Sequence, residues 1–168
     1  AQGNAATYLR LTNDQAVYNL SPHIDVTRDV QKALNFNIVY QRYKKGQYGI
    51  RMGDGIMPLG QDPVPYWMVF EVQNLSNVSD WVLTFGNRLE GRTGLIKDLL
   101  VYEHSSQTRY IDNLARTSSD ADKSNSFINS AVTVTIAPGK KSLFFIYLVP
   151  EPNFPVTLAP RLLTENAY

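Results

Sequence analysis

Between Pro65 and Tyr102 the chain carries three apolar stretches cut apart by turn-rich polar residues. Tyr66-Trp67-Met68-Val69-Phe70-Glu71-Val72-Gln73-Asn74 comes first, Trp81-Val82-Leu83-Thr84-Phe85-Gly86 second and Asp98-Leu99-Leu100-Val101-Tyr102 third. Runs this short, rich in aromatic and β-branched residues and period-2 or apolar throughout, suit strands better than helices. The spacing predicts consecutive strands of an antiparallel sheet. In the first run Tyr66, Met68, Phe70 and Val72 fall on one face, predicted to be core. Trp67, Val69, Glu71 and Gln73 fall on the other, more polar one. Trp81 shares a face with Leu83 and Phe85, which predicts that it is core.

The rest of the chain reads in the same way. Short strands or extended pieces are expected at Thr7–Leu11, Val17–Pro22, Phe36–Tyr43 and Arg109–Ile111, with a clean alternation at Ala131–Ile136. Leu143–Val149 is apolar on both faces, which predicts a central strand covered on both sides, and a last strand is expected near Val156–Leu162. Asp25–Leu34 is the one helical candidate, because Val26, Val30, Ala33 and Leu34 recur at helical spacing, Thr27 or Asp25 can cap it, Asp29 suits a first turn, and Asn35 and Asn37 help end it. Gly46–Gly60, with its glycines and Pro58, reads as a long loop or an irregular strand pair. Many short strands and one short helix argue for an all-β, two-sheet antiparallel β-sandwich.

At 168 residues, 43% of them hydrophobic, the chain has the size of one domain, residues 1–168, with 1–15 as a lead-in. The absence of cysteine excludes a disulfide framework, a thiolate zinc site and a cysteine nucleophile. A net charge of +1 with the signs interspersed leaves no basic stripe for nucleic acid. No apolar run approaches the ~20 residues that span a bilayer as a helix. The first residue is Ala1 and not Met, which suggests a trimmed front such as a removed signal peptide.

The order of these features resembles a known family. Asn19-Leu20-Ser21-Pro22 followed by Asp25 and Asp29, Trp67 with Asn74 seven residues later, the second Trp-Val-Leu strand, Asp98 leading into Leu99-Leu100 and Tyr102, and the turn Ala137-Pro138-Gly139-Lys140 carry the likeness. Together they resemble the type-two extracellular sensory domain of bacterial seven-transmembrane receptors with diverse intracellular signalling modules. The chain departs from that family at Val69, where an Arg is usual, and in a longer Gly86–Lys97 connection. The resemblance implies a jelly-roll sandwich similar to carbohydrate-binding modules, standing in the periplasm as the ectodomain of an inner-membrane protein. It implies a small-molecule or saccharide ligand, no catalysis, and transmembrane and cytoplasmic signalling domains of the same chain as partners, with a homodimer as one way to pass the signal.

Catalytic motifs are missing. His23 and His104 lie in no metal-ligand spacing, and neither a nucleophile elbow nor a phosphate-cradling loop is present. Trp67 beside Glu71 would make a flat apolar surface with hydrogen-bonding neighbours, as a saccharide platform needs; equally, Trp67 would pack under a loop or the short helix. Tyr102 and His104 share a parity opposite Leu99 and Val101 and would line the same concavity with Tyr40 and Arg42, or else form ordinary cross-strand pairs. Asp120 and Asp122 begin a calcium-loop pattern but lack its glycine and terminal glutamate, so calcium competes there with a plain solvated loop. Two readings from different classes follow: a ligand-sensing receptor domain, and a carbohydrate-binding module of a secreted hydrolase. A purely structural sandwich is the third.

Overall fold

The computed structural model describes residues 8–47, 50–51, 57–59, 64–85, 96–105, 110–111, 131–150, 156–158 and 160–167. Its strands are β1 (Leu9–Leu11), β2 (Val17–Asn19), β3 (Asp25–Arg28), β4 (Ile50–Arg51), β5 (Met57–Leu59), β6 (Tyr66–Asn74), β7 (Asp80–Thr84), β8 (Ile96–Ser105), β9 (Tyr110–Ile111), β10 (Ala131–Thr135), β11 (Lys141–Pro150), β12 (Val156–Leu158) and β13 (Arg161–Thr164). One α-helix, α1 (Phe36–Lys44), follows β3. A 7-stranded sheet runs β4-β3-β6-β11-β8-β9, with β1 added parallel to the end of β6. A 4-stranded sheet, β10-β7-β13-β2, faces it, and β5 pairs with β12 apart from both. The fold is thus an all-β jelly-roll sandwich with one short helix.

Successive long strands alternate between the sheets. β6 lies in the larger, β7 in the smaller and β8 in the larger again, separated from β6 by β11. The three central runs are therefore strands as expected, but not consecutive neighbours in one sheet. Between the sheets, Tyr66, Met68, Phe70 and Val72 of β6 meet Trp81, Leu83 and Phe85, with Leu99, Val101, Val132, Val134, Phe144 and Ile146 around them. Burying one such side chain is worth about 1.5–3 kcal/mol. This layer supplies most of the driving force.

The turn after β6 is closed by one side chain. Asn74 is fully buried, and its Nδ2 donates to the carbonyls of Val78 and Ile136, each at 2.7 Å. Its Oδ1 accepts from the Ser76 backbone N–H at 3.0 Å and the Ser76 hydroxyl at 2.6 Å, while Trp81 Nε1 donates to the same Val78 carbonyl. A buried amide is tolerated only when its donors and acceptors are matched, and here both ends are.

The helix lies elsewhere than expected. Residues 25–28 form a strand between β4 and β6, Asp25 opposite Val69 and Thr27 opposite Trp67. Past Arg28, Asp29 takes the helix's place: its carboxylate accepts from the backbone N–H groups of Ala33 (2.9 Å) and Leu34 (3.0 Å). Such local side-chain bonds offer the backbone an alternative to helix. Lys32 at φ 55° ends any continuation, and Val30 is 59% exposed rather than on a core face. The strand expected at Phe36–Tyr43 is the helix. Asn35 caps it, accepting from the Ile38 N–H at 2.9 Å, where the sequence suggested that Asn35 ends a helix. Phe36, Val39, Tyr40 and Tyr43, at i, i+3, i+4 and i+7, face the sheet. Phe36, Ile38 and Tyr40 also fit period two; the need to cover the apolar outer face of β6 and β11 decides for the helix.

Candidate functional site

On the outer face of the larger sheet the register sets out rows of side chains. Thr27, Trp67, Tyr147 and Leu100 form one row, and Asp25, Val69, Phe145 and Tyr102 the next. Glu71, Leu143 and His104 follow, then Gln73 beside Lys141 and Arg10. Helix α1 covers the second row through ring contacts and reaches His104 of the third through Tyr40. Phe36 stacks on Tyr102 at 5.0 Å and meets Phe145 edge-on at 5.0 Å, and Tyr43 meets Phe145 edge-on at 6.2 Å. This second apolar layer accounts for the two-sided apolar character of β11, as the sequence led us to expect.

The helix leaves a cleft of about 490 Å³ along its side facing β3. Val69 and Val39, both buried, supply apolar surface. Asp25 and Thr27 project from β3, Arg42 and Tyr43 from the last turn of α1, and Gln47 from just beyond it. Gln47 is held there by its backbone N–H, which donates to the Arg42 carbonyl at 2.9 Å, and Gly46 at φ 77° makes the reversal possible. Asp25 is 8% exposed and has a partner of its own, whereas Arg42 is exposed. The arrangement can bind but holds no acid–base or nucleophile pair among the described residues. No group of three or more potential metal-ligating His, Cys, Asp or Glu side chains occurs among them either.

The residues singled out from sequence separate into three groups. Tyr40, Tyr102, His104 and Trp67 come together in the layer under and beside α1: Tyr40 lies 4.6 Å from His104, and Trp67 lies 6.0 Å from Tyr102 and 5.1 Å from Tyr147. Trp67 is 3% exposed, so the open platform is corrected to a ring packed beneath the helix. The driving force is the apolar stripe of α1, which would otherwise face water. Arg42 sits on the cleft wall instead, and Glu71 is half-buried at the β6 end of the row that holds Leu143 and His104, outside the cleft. Asp120 and Asp122 lie outside the described residues.

Asp25, Thr27, Tyr43 and Gln47 were missed. Reading Asp25–Leu34 as a helix put Asp25 in a cap, and reading 36–43 as a strand hid the fact that Arg42 and Tyr43 end a helix. Asn35, three residues before Ile38 and ahead of the 36-39-40-43 apolar spacing, was the available signal.

No family model and no curated protein matches the chain. Among solved structures it is similar to TmCBM61 in complex with β-1,4-galactotriose, at 12% identity and a TM-score of 0.40 over 90% of this chain and 100% of that one. It is similar to the family 32 carbohydrate-binding module of C. perfringens NanJ in complex with galactose, at 11% identity and a TM-score of 0.40 over 89% and 99%. It is also similar to part of a tail fibre protein of an E. coli phage, at 10% identity and a TM-score of 0.43 over 93% of this chain and 20% of that one. Likenesses this distant bring no ligand or residue role with them.

Proposed function

We propose that this chain is a non-catalytic binding domain that takes a saccharide in the cleft between α1 and β3. The observation that carries the reading is the composition of that cleft. A sugar ring presents apolar C–H faces and a perimeter of hydroxyls, and it needs apolar surface ringed by donors and acceptors. Val39 and Val69 offer the first; Thr27, Asp25, Arg42, Gln47 and the Tyr43 ring offer the second. The cleft falls within the 300–1,000 Å³ of ordinary small-ligand sites.

The setting we favour is the periplasm, with the domain as ligand sensor of a membrane-bound bacterial signalling protein and ligand shifting the population of two arrangements passed on to the membrane. The family resemblance of the Trp67–Tyr102 region supports it. A module of a secreted hydrolase is the second reading, favoured by the half-buried Glu71 and Gln73 on the outer face of β6, polar side chains that a polymer could reach. A purely structural sandwich fits less well. The exposed large apolar side chains among the described residues, Val17, Val30, Ile38 and Leu75, sit on separate segments and make no apolar sheet face.

Calorimetric titration of the domain with neutral and acidic oligosaccharides tests the reading. Binding that weakens about tenfold in Thr27→Ala and Gln47→Ala, with melting temperatures unchanged, supports it. Absence of binding to every saccharide overturns it. The neighbouring reading frame decides the setting: apolar spans after Tyr168 favour the receptor, a hydrolase domain the module.

A further inference from the structure

The charges around the cleft are unequal. Its described lining holds two arginines, Arg28 and Arg42, against one carboxylate, Asp25. Asp25 and Arg28 each have partners. The Arg42 guanidinium has no hydrogen-bond or ion-pair partner among the described residues, though it lies beside Tyr43 and opposite β3. The helix that carries it contains no acidic residue, and its other late cation, Lys44, is placed over the Tyr40 ring at 5.3 Å from the centroid. Lys45 follows as a third positive charge and does not line the cleft. A neutral sugar would use Arg42 only as one more donor. An oxyanion would use its planar fork of N–H groups, which matches two oxygens at once.

We infer that the ligand is an acidic saccharide, whose carboxylate or sulfate oxygens fork onto Arg42 while its hydroxyls reach Thr27 and Gln47. This rests on the saccharide reading of the cleft and specifies its ligand. Helix-dipole stabilisation explains why cations gather at the last turn of α1, but not why the unpartnered one faces the cleft.

The experiment is calorimetric titration of the whole domain with three matched trisaccharides: neutral galactose, galacturonate, and a sulfated galactose. Wild type, Arg42→Gln and Lys45→Gln are compared at low and high salt. The expected result is about tenfold tighter binding of at least one acidic trisaccharide than of the neutral one, since the pairing is charge-assisted but open at the mouth. Arg42→Gln brings that ratio close to one, Lys45→Gln leaves it in place, and added salt narrows it in wild type. Which acidic arm is preferred tells carboxylate from sulfate. Equal binding of all three overturns the inference while leaving the saccharide reading intact. A preference that survives Arg42→Gln, or is lost equally in Lys45→Gln, overturns the assignment to Arg42. If none of the three binds, the inference falls, and the saccharide reading falls with it when the wider panel of neutral and acidic oligosaccharides fails as well.

Discussion

The ring of Tyr40 lies 4.6 Å from the imidazole of His104, tilted by 38°, and joins the middle of α1 to the far half of β8. With Phe36 on Tyr102 and Tyr43 on Phe145, it fixes the helix to the sheet at successive turns. One wall of the cleft is therefore held by aromatic contacts to the sheet, Tyr43 both lining the cleft and making one of them.

Phe36→Ala should detach this arrangement. The side chain is 8% exposed and touches Tyr40, Tyr102 and Phe145, so truncation costs about 3–5 kcal/mol of helix docking. Hydrogen exchange should show protection lost first over residues 36–44 while β6 and β11 stay protected. Uniform loss across both would refute a separately docked helix.

Asn74→Ala leaves the Ile136 carbonyl and the Ser76 backbone N–H without their side-chain partner, while the Val78 carbonyl keeps Trp81 Nε1. Leaving buried polar groups unmatched costs about 1–3 kcal/mol each, so denaturant unfolding should report a loss of about 2–4 kcal/mol. Asn74→Asp should do no better, since an ionised carboxylate cannot donate. A loss under about 0.5 kcal/mol would mean that the turn holds without this side chain.

At Trp67 the two obvious substitutions should differ. Trp67→Ala empties a buried site and should cost about 3–5 kcal/mol, lowering stability before any effect on ligand is visible. Trp67→Phe keeps a ring against Tyr102 and Tyr147 and removes Nε1, which has no partner among the described residues. It should lose far less. An Ala variant of native stability that no longer binds saccharide would restore the open platform.

Thr84→Val should stabilise. The Thr84 hydroxyl is buried at the end of β7 with no hydrogen-bond partner among the described residues. An isosteric methyl removes that desolvation penalty, and thermal melting should rise by a few degrees, about 1 kcal/mol.

The alternation within single strands was legible: the parity of β6, the inward valines of β10 and the two-sided burial of β11 follow from side-chain period alone. What periodicity does not carry is partnership. Nothing in residues 66–84 states that β6 and β7 belong to opposite sheets, because that depends on β11 and β13 arriving from far along the chain. Asp29 and Asn35 show the same limit locally. Each can stop or start a helix, and which it does depends on the surface the next apolar stripe must cover. The cleft was the least legible element, since its walls combine β3 and α1, the two segments whose conformations competing local signals exchanged.

The route of the chain between Leu9 and Arg28 has a mechanical consequence. β1 and β3 dock along the same edge of β6, and β2, between them in sequence, pairs with β13 in the opposite sheet. The segment laces the two sheets like thread through two cloths. The sandwich cannot part like a book until ladders on both sides have been sheared, whereas α1 can lift from its rings without breaking a single strand pairing.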